Sequence, residues 1–171
     1  MKQLLIMALL LMPGILQAQQ QKDSVPAAAT HPAYYYYTGI PPFQTTLVNG
    51  KSFSNKNLIK GRPVIMFLFL PDCGYCHKEM EWITAAMARL AHVQIVMVTD
   101  QSMADMAGYY QEAGLAKYRN IKMGRQENRD LIGFYGLKYY PGIFVYDKNH
   151  QIVYHHEGTV PVDTLLHYLK D

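Results

Sequence analysis

The spacing of hydrophobic positions changes along the chain in a way that separates strands from helices. Val64 to Leu70 is apolar without alternation, which is typical of a strand buried on both faces of a mostly parallel sheet. Residues 93–98 and 142–146 are further apolar runs, and residues 151–157 follow a turn at 147–150 that returns the chain beside the last of them. These runs predict four central strands.

Between these runs, apolar residues recur at steps of three and four, the spacing of a helix with one buried face. The first helix is predicted to start near Cys73 and to end around Ala91. Others are predicted at 103–116, with Gly114 as a stop near its end, at about 128–134, and after Pro161, a residue that suits the first turn of a helix. The polar segment 118–127 contributes no element to this prediction. The apolar positions of the first and last helices are Met80, Ile83, Met87, Leu90, Leu165, Leu166 and Leu169.

A hairpin is predicted before the first buried run. Residues 43–53 contain Asn49-Gly50 between two short strand-like stretches, the strongest short-range hairpin signal. Residues 54–58 are predicted to form a short helical turn or loop. The predicted order is hairpin, strand, helix, strand, helix, strand, strand, helix. It indicates an α/β fold in which helices cover both faces of a central mixed sheet.

The first 42 residues are predicted to lie outside this domain. Residues 1–18 have the charged start, apolar run and small-residue end of a secretory signal peptide. The run is too short for a good membrane span, which disfavours an uncleaved anchor. Residues 19–42 are a linker or extended arm, and residues 43–171 are the domain. Four consecutive tyrosines, 34–37, pack on the domain, contact a partner, or stay partly exposed.

Composition limits the classes of function. Half of the residues are hydrophobic, enough for the core of one domain of ordinary size. Because Lys2 lies in the predicted signal, the mature chain has fifteen Lys and Arg against thirteen Asp and Glu, a net charge of +2. This near balance excludes a nucleic-acid-binding function of the basic type. We also expect no stable membrane span after signal cleavage.

Both cysteines lie where the first buried strand gives way to a helix. A bridge between Cys73 and Cys76 would span two residues and remove little entropy from the unfolded chain, so a purely structural disulfide is a poor explanation. The unpaired N–H groups and the dipole of a helix N-terminus favour a thiolate there. We expect Cys73 to be the exposed nucleophile and Cys76 the resolving cysteine.

Two motifs carry a resemblance to a known family. They are FLPDCGYCHKE at 69–79 and YGLKYYPGIFVYD at 135–147. From about Phe43 to Leu169 the chain resembles exported thioredoxin-like proteins of the TlpA and redoxin type. The resemblance implies the thioredoxin fold and a cis Pro141 that faces the cysteine pair. It also implies that the backbone of Tyr140 pairs with an extended substrate segment, and that Glu79 tunes the pair and supports proton transfer. A solvated helix position is the other interpretation of Glu79.

Several residues depart from the familiar thioredoxin pattern. Asp72 stands where thioredoxins carry Trp, and Gly74-Tyr75 lacks the proline of general reductants. The CGYCHK segment resembles the active site of periplasmic disulfide isomerases, although the 24 residues from Gln19 to Pro42 cannot supply the dimerisation domain of those proteins. A peroxiredoxin is disfavoured because Leu70 stands where that family needs Thr.

A metal site is also disfavoured, since a lone Cys-x-x-Cys pair needs two further ligands. His77 would supply one at most, and His155 and His156 are adjacent on a strand, so they point to opposite faces. His77 lies four residues after Cys73, on the same helix face, and would stabilise a thiolate if protonated. An exposed surface histidine is the alternative. No cofactor is expected.

The sequence therefore predicts an exported, periplasmic or otherwise extracytoplasmic thiol–disulfide oxidoreductase. Cys73, Cys76 and Glu79 would be catalytic, and Gly74, Tyr75, Tyr140 and Pro141 would bind substrate. The expected partners are protein thiols and disulfides together with a redox partner protein. The alternatives are a disulfide isomerase or oxidase, and a non-catalytic thioredoxin-fold binding or chaperone module that the tyrosine run would serve.

Overall fold

The computed structural model describes residues 31–170, so the predicted signal peptide and residues 19–30 of the predicted arm lie outside the described part. Within it, seven strands form one mixed sheet in the order β2-β1-β5-β4-β3-β6-β7. The strands are β1 (Gln44–Leu47), β2 (Ser52–Ser54), β3 (Val64–Leu68), β4 (Gln94–Thr99), β5 (Ile121–Arg125), β6 (Gly142–Tyr146) and β7 (Ile152–Glu157). The helices are α1 (Gly74–Ala85), α2 (Met103–Glu112), α3 (Asp130–Tyr135) and α4 (Val162–Tyr168).

Strand β3 is the centre of the sheet. It pairs parallel with β4 and antiparallel with β6, and all five of its residues are buried. Alternate side chains enter two separate cores. One core contains Ile65 and Phe67 with residues from α1, α2 and α4; the other contains Val64, Met66 and Leu68 with residues from α3 and the N-terminal arm. Burial on both faces explains why this run has no polar alternation.

The hairpin lies where the sequence predicted it. Strands β1 and β2 are antiparallel, and Gly50 has a φ of 77°, a conformation that glycine adopts at no steric cost. The backbone N–H of Lys51 donates to the Asn49 side chain at 3.1 Å. Residues 55–57 form a 3-10 helical turn after β2, which agrees with the predicted short turn.

The prediction missed β5, which lies inside the polar segment 118–127. It pairs parallel with β4 and antiparallel with β1. Ile121 and Met123 are buried, whereas Lys122 is exposed on the opposite face. Gly124 faces Thr45 so closely that an added Cβ would lie 2.7 Å from the Cβ of that residue. The exposed Lys122 and the tightly packed Gly124 interrupt the apolar pattern, so the sequence did not predict this interior strand.

Two predicted helices are shorter in the structure. Helix α1 ends at Ala85 rather than around Ala91, and turns occupy the residues before β4. Helix α2 ends at Glu112, within the predicted 103–116. Gly114, the predicted stop, follows in the left-handed conformation, before a 3-10 turn over Leu115–Lys117. Apolar spacing continues past both ends because Leu90 and Leu115 are still buried, so periodicity alone does not mark where the helices stop.

The part of the predicted arm within the described range packs on the domain. Tyr34 lies in a 3-10 turn over Ala33–Tyr35 and is buried, whereas Tyr35, Tyr36 and Tyr37 are half-exposed or more. The backbone N–H of Ile152 donates to the Thr38 carbonyl at 2.8 Å, and Gly39 forms a β-bridge with Gln151 at the edge of β7. No helix within residues 31–170 is long and apolar enough to cross a membrane.

Candidate active site

The two cysteines form a disulfide at the N-terminus of α1. Cys73 is the N-cap residue, and its sulfur accepts the backbone N–H of Cys76 at 3.2 Å. The Cα atoms are 5.2 Å apart, an ordinary separation for a disulfide. Cys73 is half-buried, while Cys76 is fully buried between α1 and the sheet. An incoming thiol or disulfide therefore reaches Cys73 first.

Pro141 lies at the same end of the sheet as the disulfide. The peptide bond between Tyr140 and Pro141 is cis, as the family resemblance implies. Gly142 pairs with Leu68, so Pro141 lies beside the point where the chain leaves β3 toward Cys73. The carbonyl of Pro141 accepts the backbone N–H of Gly158 at 2.7 Å, which fixes the start of β6.

The loop before Pro141 is held by a carboxylate on the neighbouring strand. Oε2 of Glu157 accepts the backbone N–H groups of Lys138 at 3.1 Å and Tyr139 at 2.7 Å. Glu157 is paired with Gly142 in the β6–β7 ladder. The position of this loop is therefore tied to the sheet, and Tyr139 projects from it with 71 % of its surface exposed.

Tyr140 faces a charged pair that the sequence analysis did not identify. Burial and the nearby Asp100 carboxylate raise the pKa of the Tyr140 hydroxyl, and the positive charge of the nearby Arg129 opposes the shift. Nε of Arg129 lies 3.0 Å from a carboxylate oxygen of Asp100. Arg129 has a φ of 56°, unusual for a residue other than glycine. No sequence motif connects these three residues, because β4, α3 and the loop before β6 bring them together only in the fold.

Glu79 is a buried carboxylate on the same face of α1 as Cys76. Its Oε2 accepts the backbone N–H of Val160 at 2.8 Å, and its Oε1 is buried without a hydrogen-bond partner among the described residues. Burial raises the pKa of Glu79 to about 7, although the Val160 hydrogen bond lowers it. The alternative of a solvated helix position is therefore wrong, because Glu79 lies in the core. Its raised pKa is close to the pH at which a carboxyl group can both accept and release a proton.

The His77 ring contacts the loop before Cys73 and helix α2. Its Nε2 lies 2.6 Å from the Pro71 carbonyl oxygen and, when protonated, donates to it. Its ring stands edge-on to Tyr109 with centroids 4.5 Å apart. This geometry links the start of α1 to the loop before Cys73. Within residues 31–170, no three His, Cys, Asp or Glu side chains gather in a way that could hold a metal ion.

An acidic cleft lies beside the disulfide. Its volume is about 460 Å³, and it extends from Pro71 and Asp72 to α2, where Asp105 and Glu112 contribute two more carboxylates. Gly74 and Tyr75, the two residues between the cysteines, are exposed, Tyr75 by 71 %. The surface around Cys73 is thus aromatic and negatively charged.

The sequence profile of the AhpC/TSA family matches residues 38–155 of this chain. The match spans both cysteines, Glu79 and Pro141. No curated protein is recognisably similar to the chain in sequence.

Solved structures resemble the fold over most of its length. The exposed lipoprotein thioredoxin of Streptococcus pneumoniae is 22% identical with a TM-score of 0.61, over 74% of this chain and 96% of that one. The secreted disulfide oxidoreductase of Mycobacterium tuberculosis, described as homologous to Escherichia coli DsbE, is 16% identical with a TM-score of 0.62, over 74% and 92%. The thioredoxin domain of a thiol-disulfide oxidoreductase from Bacteroides vulgatus is 19% identical with a TM-score of 0.61, over 81% and 95%.

The chain therefore belongs to the AhpC/TSA family, and its fold is thioredoxin-like, as predicted. Family membership and the paired Cys73 and Cys76 also confirm the predicted class of chemistry, thiol–disulfide oxidoreduction.

Proposed function

We propose that this member of the AhpC/TSA family transfers electrons between protein thiols and disulfides, with Cys73 as nucleophile and Cys76 as resolving cysteine. The observation that carries this assignment is the difference in exposure: Cys73 is half-buried at the helix N-terminus, whereas Cys76 is fully buried one turn on. A substrate sulfur can approach Cys73 from solvent, whereas the burial of Cys76 supports a role confined to attack on Cys73.

Reduction of a substrate would proceed in two exchanges. The Cys73 thiolate attacks a substrate disulfide, forms a mixed disulfide, and releases one substrate thiolate. The Cys76 thiolate then attacks the Cys73 sulfur, forms the intramolecular disulfide, and releases the second substrate thiolate. Two electrons pass to the substrate, and an external dithiol from a redox partner reduces the pair again. The reverse sequence oxidises a substrate dithiol.

Glu79 would exchange the proton of Cys76. The thiol of Cys76 is buried and must lose its proton before it can attack. Glu79 lies three residues further along the same buried face of α1, with Oε1 unpartnered among residues 31–170 and a pKa raised to about 7. An ionised Glu79 accepts the proton in the resolving step and returns it when the disulfide is reduced.

The cis-proline loop would bind the polypeptide around the substrate sulfur. Tyr140 and Pro141 lie beside the end of β3. In this proposal the backbone of Tyr140 pairs with an extended substrate segment as an added strand does. Gly74 offers no side chain to obstruct that segment, and exposed Tyr75 gives it an aromatic surface. Substrate proteins with an accessible disulfide in an extended segment suit this arrangement.

The chain would act outside the cytoplasm, where protein disulfides persist. Two observations support this location: the signal-like residues 1–18, and the similarity to proteins described as secreted and as an exposed lipoprotein. Export of a tagged chain and loss of export after deletion of residues 2–18 would test it.

Insulin reduction with dithiothreitol tests the catalytic assignment. The wild-type protein should accelerate precipitation of the insulin B chain, and Cys73→Ser should reduce the rate to that of dithiothreitol alone. Undiminished activity in Cys73→Ser would contradict the nucleophile assignment. Activity in neither form would favour the binding or chaperone alternative, for which the exposed Tyr35, Tyr36 and Tyr37 offer a surface.

The direction of electron flow follows from the reduction potential of the pair. A potential near about −270 mV would indicate a general reductant, and one near about −120 mV an oxidant, with isomerases between these values. Equilibration of the Cys73–Cys76 disulfide with glutathione or dithiothreitol buffers, followed by alkylation and mass spectrometry, gives this number.

A further inference from the structure

A second cleft, at the opposite end of the sheet from the disulfide, is lined by positive charge. Its volume is about 510 Å³, within the range of small-molecule sites. It opens where β3, β4 and β5 begin. Four basic side chains line it and no acidic one does: Arg62, Lys117, Arg119 and Lys122.

These four cations form no ion pair with the described residues. Among residues 31–170, the ion pairs join Lys78 to Glu81, Arg89 to Asp163, Arg125 to Glu127 and Arg129 to Asp100, and none involves the four basic side chains of the cleft. Lys117 contacts the ring of Tyr118, with 5.1 Å from Nζ to the ring centroid. Positive charge that converges on a concave surface without a counterion raises the local concentration of anions.

The segregation of charge extends through the segments that build the cleft. Residues 39–71, 82–99 and 113–126 contain nine of the chain's sixteen Lys and Arg and no Asp or Glu. The near-neutral total charge of the chain conceals this distribution. If acidic and basic residues were mixed evenly over the surface, these segments would also contain Asp or Glu. The cleft therefore has a positive electrostatic potential that the net charge of the whole chain does not reveal.

Two side-chain amides hold in place the loops that form the walls of the cleft. The Gln94 side chain accepts the N–H of Ile59 at 2.6 Å and donates to the carbonyls of Ile59 at 3.0 Å and Arg62 at 3.3 Å. On the other side, Nδ2 of Asn120 donates to the carbonyls of Leu90 at 3.1 Å and Val93 at 2.9 Å. These bonds fix the loops that carry Arg62 and Arg119.

The floor between the cations is apolar. It is formed by Phe53, Leu58, Met87 and Val96, with Ile59 at the rim. Phe53, Leu58 and Val96 belong to the core on that face of the sheet. An apolar floor with charged groups around it suits a molecule that has an apolar body and an anionic group, because each part meets its complement.

We propose that this cleft binds small organic anions, namely carboxylates, phosphates or sulfonates attached to an apolar or aromatic body. The anionic group would lie among Arg62, Lys117, Arg119 and Lys122, and the apolar body would contact the floor. The site is distinct from the redox centre, because the full length of β3 separates the two.

Fluorescence titration with anilinonaphthalene sulfonate, an aromatic anion, tests the proposal on the folded oxidised protein at low ionic strength. We expect saturable binding at one site per chain, weakened about tenfold in Arg119→Gln/Lys122→Gln. The matched control Lys78→Gln/Lys170→Gln removes two exposed charges elsewhere and should bind as the wild type does. No saturable binding, or equal weakening in both double variants, would overturn the proposal.

Two further comparisons separate the charged site from a nonspecific apolar surface. Phenylnaphthylamine has the same aromatic body without the sulfonate and should bind at least about tenfold more weakly than the sulfonate. Ile59→Glu places a carboxylate in the cleft at a side chain that is 52 % exposed, so it should abolish sulfonate binding without unfolding the chain. Val153→Glu, at an exposed position on β7, should not. Equal affinity for the two dyes, or equal loss in the two Glu variants, would refute an anion site.

Discussion

The two ends of the sheet differ in charge, in shape and in the way they are held. At the carboxyl ends of β3 and β4, a cleft begins beside the disulfide at Asp72 and runs along α2 past Asp105 to Glu112. At the amino ends of the same strands, four basic side chains surround a cleft with an apolar floor. The five residues of β3, about 16 Å of extended chain, separate them. One small domain can therefore present two surfaces of opposite charge, and a total charge near zero gives no sign of either.

The largest effect should come from removal of the resolving cysteine at the acidic end. Cys76→Ser should abolish catalytic turnover of insulin and accumulate a mixed disulfide between Cys73 and the substrate, because the second exchange cannot occur. Non-reducing gel electrophoresis and mass spectrometry would detect the adduct. The cleft variant Arg119→Gln/Lys122→Gln should keep wild-type turnover. A comparable loss in that variant would mean that the two ends act together.

The next effect concerns the buried carboxylate. With a pKa of about 7 in the folded chain and 4.5 as its ordinary value, Glu79 holds its proton in the folded state after the unfolded chain has lost it. The contribution of Glu79 to the free energy of unfolding is therefore fully present below about pH 4.5. It is lost as the pH rises to about 7, which lowers the free energy of unfolding by about 3 kcal/mol. Glu79→Gln should remove this part of the pH dependence.

Urea unfolding at about pH 5 and about pH 8 measures the change. The free energy of unfolding should fall less between these two pH values in Glu79→Gln than in the wild type. The difference should be most of the about 3 kcal/mol assigned to Glu79. Glu81→Gln, an exposed position on the same helix, serves as the matched control and should behave as the wild type does. An equal fall in Glu79→Gln would show that Glu79 ionises normally.

A smaller effect is expected on substrate choice. The carboxylates of the cleft that runs from Asp72 along α2 to Glu112 should attract substrates whose disulfide is flanked by Lys or Arg. Glu112→Gln should lower the rate constant for reduction of such a peptide about two- to threefold at low salt, with little change for a neutral peptide. Asp163→Asn, which removes an exposed acid elsewhere, is the control. Stopped-flow fluorescence at two salt concentrations would measure both, and equal rates for the two peptides would argue against steering.

The smallest effect should be the influence of one end on the other. Reduction of the Cys73–Cys76 disulfide should change the affinity of the basic cleft for anilinonaphthalene sulfonate less than about twofold, because the rigid β3 and β4 ladder lies between them. Titration of the oxidised protein and of the protein in excess dithiothreitol provides the comparison. A larger change would reveal coupling between the two sites, and the independence described above would then be wrong.

The acidic end was far easier to predict from the sequence than the basic end. Cys73, Cys76 and Pro141 belong to motifs whose spacing is visible in the chain. The burial of Glu79 also had a signal, since it lies three residues after Cys76 and four before Ile83 on one helix face. The basic cleft had none, because its cations come from two distant segments, the loop before β3 and residues 117–122. One of them, Lys122, lies on the strand that the prediction missed.

That missed strand shows why pattern alone was insufficient. Lys122 is exposed because the sheet face beneath it opens into the cleft instead of carrying a helix. A lysine on an interior strand breaks the apolar run by which such strands are recognised. Arg129 and Asp100 escaped prediction for a related reason, since only the fold brings them to Tyr140. Local pattern predicts elements, whereas contacts between distant segments require the structure.

The segment 31–42 has a consequence for the integrity of the sheet. Strand β7 is an edge strand of the sheet. An uncovered edge strand offers its backbone N–H and C=O groups to other chains. Thr38 and Gly39 pair with Ile152 and Gln151 and so cover the start of this edge. Tyr34 holds the covering segment in place, because its side chain is buried in the core. A chain shortened to begin at Phe43 would lose this edge protection and become prone to edge-to-edge aggregation. The shortest well-behaved form of the domain should therefore begin before Tyr34.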